Sequence, residues 1–269
     1  MSCAGTGALG PSAPEPRSES ASPQVRQNTI PVSSDVASPI DPPKTDSSSE
    51  TDRSAATLRS LDVPGFEPAL LFAPAGEAPR PLVVATHGAG GSAEWECEYW
   101  RRLTRERAFL LCLKGTPLGS SYGGYYYRDH RALDRELIAA EQAARTAEPR
   151  IIAGSGVYAG FSQGATMGTP ILPAHAAAFP YAVLIEGFAS WNVPESRRFI
   201  GAGGQRVLIA CGSKECAVKG KTSVHWLQVA GAQARLEHAP GAGHTPAGAV
   251  MERVASALPW LLEGDPHWQ

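Results

Sequence analysis

The sequence has almost no excess charge and no long apolar run. It carries 24 Lys and Arg residues against 26 Asp and Glu residues, and the basic ones are scattered. Nucleic acids and anionic membrane surfaces are bound by concentrated positive charge, so this pattern argues against both and favours a small or neutral partner. No apolar run approaches the roughly 20 residues that span a bilayer. Met1 to Leu9 also lacks the charged and apolar segments of a full signal peptide.

Large apolar side chains are nearly missing from residues 2–60, which consist mainly of Ser, Pro, Ala and Gly. Such a segment cannot bury enough surface to offset the entropy lost on ordering. We therefore expect residues 1–60 to form a disordered tether. Its start, Met1 to Gly5, resembles the end of a bacterial lipoprotein signal, with Cys3 where a lipid would be attached; the alternative is a chance cysteine in a flexible tail.

The remainder, residues 61–269, has the pattern of one folded domain in which strands and helices alternate. An apolar share of 43% over the whole chain is enough for a sizeable core. Long connections between apolar strands predict a mainly parallel sheet with helices on both faces, and such sheets carry their active sites at the carboxyl ends of the strands. We predict strands at 69–73, 81–86, 108–113, 157–161, 181–185, 206–210 and 234–238, and helices at 99–106, 129–147, 222–230 and 247–262.

The motif that organises the domain is Gly160-Phe161-Ser162-Gln163-Gly164, which follows a short apolar strand. A serine between strand and helix in Gly-x-Ser-x-Gly sits in a sharp turn that exposes its hydroxyl, and small residues two before and two after it let strand and helix approach. This predicts Ser162 as a nucleophile. The pentapeptide alone could also be a Gly-rich loop with a surface serine, so its context decides.

That context is the set of polar residues that follow the predicted strands. Ser162 follows one strand, Glu186 the next, Glu215 comes shortly after the strand at 206–210, and His244 lies in a Gly-rich loop after the last strand. The chain order is thus serine, acid, histidine. This is the order found in α/β-hydrolases.

Four blocks resemble the phospholipase/carboxylesterase and dienelactone-hydrolase branch of the α/β-hydrolases. They are His87-Gly88-Ala89-Gly90-Gly91, Gly160 to Gly164, Gly212-Ser213-Lys214-Glu215, and Gly243-His244. The resemblance extends from about residue 61 to the end of the sequence. In that family the acid after the penultimate strand is usually Asp, whereas this register holds Glu215.

We expect His244 to be the general base, because a serine hydroxyl needs a base within hydrogen-bond reach. The acid that orients the imidazole is Glu215 by register, with Glu186 as the alternative. The backbone amides of Ala89 and Gln163 are expected to form the oxyanion hole. Neither a metal nor a cofactor is needed for this chemistry.

Too few residues separate the last strands for a cap domain, so the site is expected to be open. Aromatic residues near it are candidate substrate contacts, although half of such residues would ordinarily fill the core. The candidates are Tyr125, Tyr126 and Trp191, together with Trp95, Tyr122, Tyr127 and Phe188.

Four cysteines fall within the predicted domain, and their positions suggest two local disulfides. Cys97 precedes the first predicted helix and Cys112 lies in the neighbouring strand, while Cys211 and Cys216 bracket the loop that carries Glu215. The alternatives are buried free thiols or, for the second pair, an incomplete metal site. Disulfides favour an oxidising, extracytoplasmic setting, periplasmic or secreted and lipid-anchored if Cys3 is modified.

The sequence therefore predicts a serine esterase that cleaves carboxylic esters or thioesters through an acyl-enzyme intermediate. Two alternatives remain open at this stage. One is a serine peptidase of the same fold, which would normally need an added propeller or cap. The other is a non-catalytic binding module, which is favoured if the change of acid means that the triad is lost. Pocket loops rather than motifs determine the substrate.

Overall fold

The computed structural model describes residues 55–119, 123–187 and 190–269. The predicted lipid-bearing Cys3 and most of the predicted tether lie outside these residues. The strands are β1 (Thr57–Leu61), β2 (Ala69–Ala73), β3 (Leu82–Thr86), β4 (Phe109–Cys112), β5 (Thr116–Pro117), β6 (Tyr125–Tyr126), β7 (Val157–Phe161), β8 (Tyr181–Ile185), β9 (Arg206–Cys211) and β10 (Gln233–His238). The helices are α1 (Ala93–Thr104), α2 (His130–Ala147), α3 (Gln163–Gly168), α4 (Leu172–His175), α5 (Val193–Gly201), α6 (Lys214–Val229) and α7 (Ala249–Leu261), followed by a 3-10 turn at Pro266–Trp268.

Eight strands form one sheet in the order β1-β2-β4-β3-β7-β8-β9-β10, and β5 pairs with β6 in a separate hairpin. β2 runs antiparallel to both β1 and β4, and the other pairs of the large sheet are parallel. The central strands are continuous apolar runs, and every residue of β3 and β8 is buried. A strand buried on both sides needs helices on both faces of the sheet.

The two faces of the sheet carry two separate apolar cores. One core contains buried residues of α2, α5 and α6, including Leu137, Phe199 and Leu227. The other contains buried residues of α1 and α7, including Trp100 and Val254. The predicted mainly parallel sheet with helices on both faces is therefore confirmed, and no described element forms a cap over the strand ends.

Three elements begin well away from the predicted positions, and the other boundaries shift by only one or two residues. β1 begins at Thr57 and so includes residues assigned to the tether. α1 begins at Ala93 rather than near residue 99, because the Ser92 hydroxyl accepts the Trp95 amide hydrogen bond. α6 begins at Lys214 rather than near residue 222, because Ser213 is its N-cap. The third difference changes the active-site assignment described below.

None of the helices in the described ranges combines the length and apolarity that a bilayer crossing requires.

Candidate active site

Ser162 sits in the strained turn that the motif predicts. Its φ of 50° and ψ of −107° are unusual for a residue with a side chain. Its amide donates to the Ile185 carbonyl at 2.8 Å, and α3 begins at the next residue. A Cβ on Gly160 would stand 2.6 Å from the Ala165 nitrogen, so only glycine lets β7 and α3 approach this closely. The sequence thus fixes Ser162 at the carboxyl end of β7.

His244 reaches Ser162 from the loop after β10. Its Nε2 lies 2.8 Å from the Ser162 hydroxyl oxygen, and its side chain remains 56% exposed. The Phe161 ring lies beside the imidazole, with 5.2 Å between ring centroids. The loop is tied to the neighbouring strand by the Ala239 amide, which donates to the Cys211 carbonyl at 2.8 Å. The His244 imidazole is therefore positioned over the Ser162 hydroxyl and remains open to solvent.

The acid that contacts the imidazole is Glu186. His244 Nδ1 lies 3.1 Å from Glu186 Oε2, and the Glu186 side chain is fully buried. Ser213 donates twice to this carboxylate: its hydroxyl to Oε2 at 2.8 Å and its amide to Oε1 at 2.8 Å. Gly212 also donates its amide to Oε1. A buried carboxylate with four such partners is held in one orientation and has its charge stabilised.

Glu215, the preferred acid of the sequence analysis, does not occupy this position. It lies in the first turn of α6 and is exposed. By register, residues 212–216 were expected to form a loop, whereas the Ser213 cap starts the helix at Lys214 and turns Glu215 outward. The alternative, Glu186, follows β8 directly; its φ of 53° bends the chain at that point. Our assignment of the acid accordingly changes to Glu186.

The two amides expected to form the oxyanion hole are free to bind an external group. Within the described residues, neither the Ala89 amide nor the Gln163 amide donates a hydrogen bond to another protein group. Gln163 is the first residue of α3, where amides lack helical acceptors. The loop of Ala89 passes close to the nucleophile, since a Cβ on Gly88 would stand 3.0 Å from the Cβ of Ser162.

His87 and Tyr125 hold the loop that carries Ala89. His87 is 1% exposed; its Nδ1 and Nε2 lie 2.7 and 2.9 Å from the carbonyls of Gly88 and Lys114. Tyr125 accepts from the Gly90 amide at 2.8 Å and donates to the Gly91 carbonyl at 2.9 Å. His87 is thus a structural residue below the loop, and the backbone of Tyr125 fixes its outer side.

A cavity of about 230 Å³ lies next to Phe161, the residue before Ser162. Its lining residues belong to the Ala89 loop, α1 and the neighbours of the nucleophile and the base: His87, Gly88, Ala89, Gly90, Gly91, Trp95, Glu96, Tyr99, Phe161 and Pro246. Glu96 is only 3% exposed. Burial raises the pKa of its carboxyl group to about 8, and a hydrogen bond from Trp100 partly opposes this shift.

The aromatic candidates divide between core and surface. Trp191 is 1% exposed and packs against Phe199 at a ring distance of 5.6 Å, so the prediction that it contacts substrate is wrong. Tyr127 is equally buried and stacks on His87. Tyr125 and Tyr126 are half-buried in β6, while Trp95 is 64% exposed at the cavity. Tyr122 and Phe188 lie outside the described residues.

Both predicted cysteine pairs lie at bonding distance. The sulfurs of Cys97 and Cys112 are 1.95 Å apart, and those of Cys211 and Cys216 are 1.98 Å apart. The second pair and the Glu186 carboxylate lie within 4.8 Å of one another. Because bonded sulfurs are not thiolates, this group offers a metal only one ligand of the usual kind.

Sequence reasoning missed Ser213 and Glu96. The signal for Ser213 was a serine directly before a polar helical stretch, which is typical of an N-cap. Glu96 could have been found from its spacing to the apolar residues of the same helix. It is three residues after Ala93 and four before Trp100, which places a carboxyl group on the buried face of α1.

Neither the family models nor the curated proteins that we searched match this chain. Solved structures do resemble it. A bacterial heroin esterase is 16% identical with a TM-score of 0.58, covering 80% of this chain and 86% of its own. A dienelactone hydrolase-like promiscuous phosphotriesterase, P91, from metagenomic libraries is 17% identical with a TM-score of 0.59, covering 77% and 98%. A carboxylesterase from Mesorhizobium loti is 19% identical with a TM-score of 0.53, covering 74% and 98%. Together with the sheet order and the strand-end residues, these similarities show that the chain has the α/β-hydrolase fold.

Proposed function

We propose that this protein is a serine hydrolase that cleaves carboxylic esters or thioesters through an acyl-enzyme intermediate. The observation that carries the proposal is the chain of contacts from Ser162 through His244 to Glu186, at 2.8 and 3.1 Å. A nucleophile, a base and a buried acid in this geometry have the roles of a catalytic triad. The solved structures with esterase names support the same class of reaction.

In the acylation half-reaction, the Ser162 hydroxyl oxygen attacks the ester carbonyl while its proton passes to His244 Nε2. The negative charge that develops on the carbonyl oxygen is stabilised by the free amides of Ala89 and Gln163. Glu186 stabilises the imidazolium formed at His244. The C–O or C–S bond then breaks, and the leaving group takes the proton from Nε2.

Deacylation repeats these steps with water as the nucleophile. Water gives its proton to His244 Nε2 and attacks the carbonyl of the acyl-serine. Collapse of the second tetrahedral intermediate releases the carboxylic acid and returns the proton to Ser162. The open site and the exposed imidazole give water direct access to the acyl group.

The proposed partner is a small ester, and the proposed setting is extracytoplasmic. The two cysteine pairs at bonding distance support an oxidising compartment. Attachment through a lipid on Cys3 stays a prediction.

The test is hydrolysis of p-nitrophenyl acetate by the wild type, by Ser162→Ala and by Ser256→Ala, an exposed serine on α7. Only Ser162→Ala should lose activity, while its melting temperature stays close to that of the wild type. Wild-type rates in Ser162→Ala would contradict the proposal. A folded wild type without turnover on esters of graded acyl length, and without reaction with a fluorophosphonate, would instead support a binding module. Turnover on peptides but not on esters would support a peptidase.

A further inference from the structure

The cavity next to Phe161 is small, and aromatic side chains form much of its wall. Three aromatic residues, Trp95, Tyr99 and Phe161, line it, and no Lys or Arg is among its lining residues. Aromatic faces carry negative electrostatic potential and attract cations. At about 230 Å³, the cavity has room for one substituent of a substrate rather than for a whole drug-sized ligand.

The one carboxyl group that lines the cavity is Glu96, and among the described residues it has no cationic partner. Its side chain is buried, and within the described part of the chain a hydrogen bond from the neutral indole of Trp100 is the only contact that lowers its pKa. The other acids of α1 differ from it. Glu98 is exposed and pairs with Arg101 and Arg102. A buried carboxyl group without a charged partner is costly to ionise unless a ligand supplies the positive charge.

We propose that this cavity binds an ammonium group of the substrate, with Glu96 as its counter-ion and Trp95, Tyr99 and Phe161 as its aromatic walls. The inference rests on the proposed function and narrows its substrate class to esters that carry a cationic amine near the scissile carbonyl. The cavity is close enough for this, because Phe161 precedes the nucleophile and Ala89 belongs to both the cavity and the oxyanion loop.

Binding of the cation is coupled to loss of a proton from Glu96. In the empty cavity the carboxyl group has a pKa of about 8, so it is mainly protonated at neutral pH. An ammonium group that enters stabilises the ionised form and expels this proton. Cation affinity should therefore rise as pH increases towards 8, by up to about tenfold per pH unit.

Other titratable groups line the cavity or lie near its walls, and the experiment has to separate them from Glu96. The pKa values of Tyr127 and Tyr158 are raised by burial above the usual value for tyrosine, so neither titrates near pH 8. The remaining groups are Glu94 and Tyr99 on α1, His87 after β3, Lys114 after β4 and Glu136 on α2. All of them are retained when Glu96 alone is changed to Gln.

The test is calorimetric titration of the full chain with choline and with 3,3-dimethylbutanol, which replaces the nitrogen by carbon. At about pH 8.5, choline should bind about tenfold more tightly than 3,3-dimethylbutanol. This preference for choline should shrink as the pH is lowered to about 6. Glu96→Gln should remove both the preference and its pH dependence. Glu98→Gln, an equal charge change on an exposed part of the same helix, should keep them.

Equal affinity for the two ligands in the wild type would overturn the inference, as would a preference that survives in folded Glu96→Gln or is lost in Glu98→Gln. If Glu96→Gln does not fold, Trp95→Ala provides the second variant, because Trp95 is 64% exposed and its loss should still weaken choline binding several-fold. Calorimetry does not depend on a reactive serine. Failure of this inference is therefore separate from failure of the proposed function, which the serine variants test.

Discussion

Replacing Glu186 by Gln should remove most of the proposed esterase activity through the proton of His244 rather than through the fold. The two carboxylate oxygens face different partners. Oε1 accepts from the amides of Gly212 and Ser213, so a glutamine must place its oxygen there. Its NH₂ group then takes the place of Oε2 and points at His244 Nδ1. An amide donor at that position requires Nδ1 to be an acceptor, which moves the imidazole proton to Nε2.

An imidazole protonated at Nε2 cannot take the proton of Ser162. The matched change in a serine protease lowers kcat by about 10⁴-fold for the same reason, so we expect a loss of about 10³- to 10⁴-fold here. This corresponds to about 4–5.5 kcal/mol of transition-state stabilisation, at about 1.4 kcal/mol for each factor of ten. The amide still accepts from both backbone donors, so the fold should be kept.

The assay is kcat for p-nitrophenyl acetate, with circular dichroism to verify the fold. Glu215→Gln is the matched control, since Glu215 is exposed on α6 and its loss should change kcat by less than about threefold. The reverse result, a crippled Glu215→Gln and a nearly normal Glu186→Gln, would refute the assignment of the acid. Equal activity in both variants would refute the argument from the tautomer.

Ser213, the Cys97 and Cys112 pair, and Glu96 each provide one further prediction. Ser213→Ala removes the hydroxyl that donates to Glu186 Oε2 but keeps both backbone donors, so kcat should fall by about tenfold. The control variant Ser256→Ala, at an exposed serine, should leave kcat unchanged. A normal kcat in Ser213→Ala would contradict this role of the hydroxyl. Replacing Cys97 and Cys112 by Ala opens a crosslink with a sequence separation of 15 and should cost about 3 kcal/mol in urea unfolding, whereas unchanged stability would show that the pair is not bonded. Burial raises the pKa of Glu96 from 4.5 to about 8, so the folded protein keeps a proton that the unfolded chain releases. The free energy of unfolding of the wild type, relative to that of Glu96→Gln, should therefore fall between about pH 5 and pH 8, by up to about 1.4 kcal/mol per pH unit. If the free energies of unfolding of the two proteins changed with pH in parallel, the raised pKa of Glu96 would be refuted.

The central strands of the sheet could be predicted from the sequence because they are continuous apolar runs. β3, β7 and β8 stand where those runs were found. β1 was missed because it lies at the edge of the sheet and alternates half-buried with exposed residues, with only Leu61 buried. An edge strand is stabilised mainly by the strand that it pairs with, and the residue composition of the edge strand does not predict that pairing.

The site residues whose positions are fixed by backbone geometry could be predicted from the sequence, but the identity of the acid could not. Ser162 belongs to a turn that only one local pattern allows, and His244 follows the last strand. The choice between Glu186 and Glu215 depended on where α6 begins. A single hydroxyl, that of Ser213, both starts this helix and binds the carboxylate of Glu186. The position of a residue along the sequence does not predict such a contact between two separate elements.

The central claim is that Ser162 carries the acyl group during turnover. The most direct measurement is intact mass spectrometry of the protein quenched within seconds of mixing with p-nitrophenyl acetate, followed by peptide mapping. We predict a mass increase of one acetyl group that maps to Ser162 and is absent in Ser162→Ala. Turnover with no acetylated protein, or an acetyl group mapped to another residue, would contradict the account.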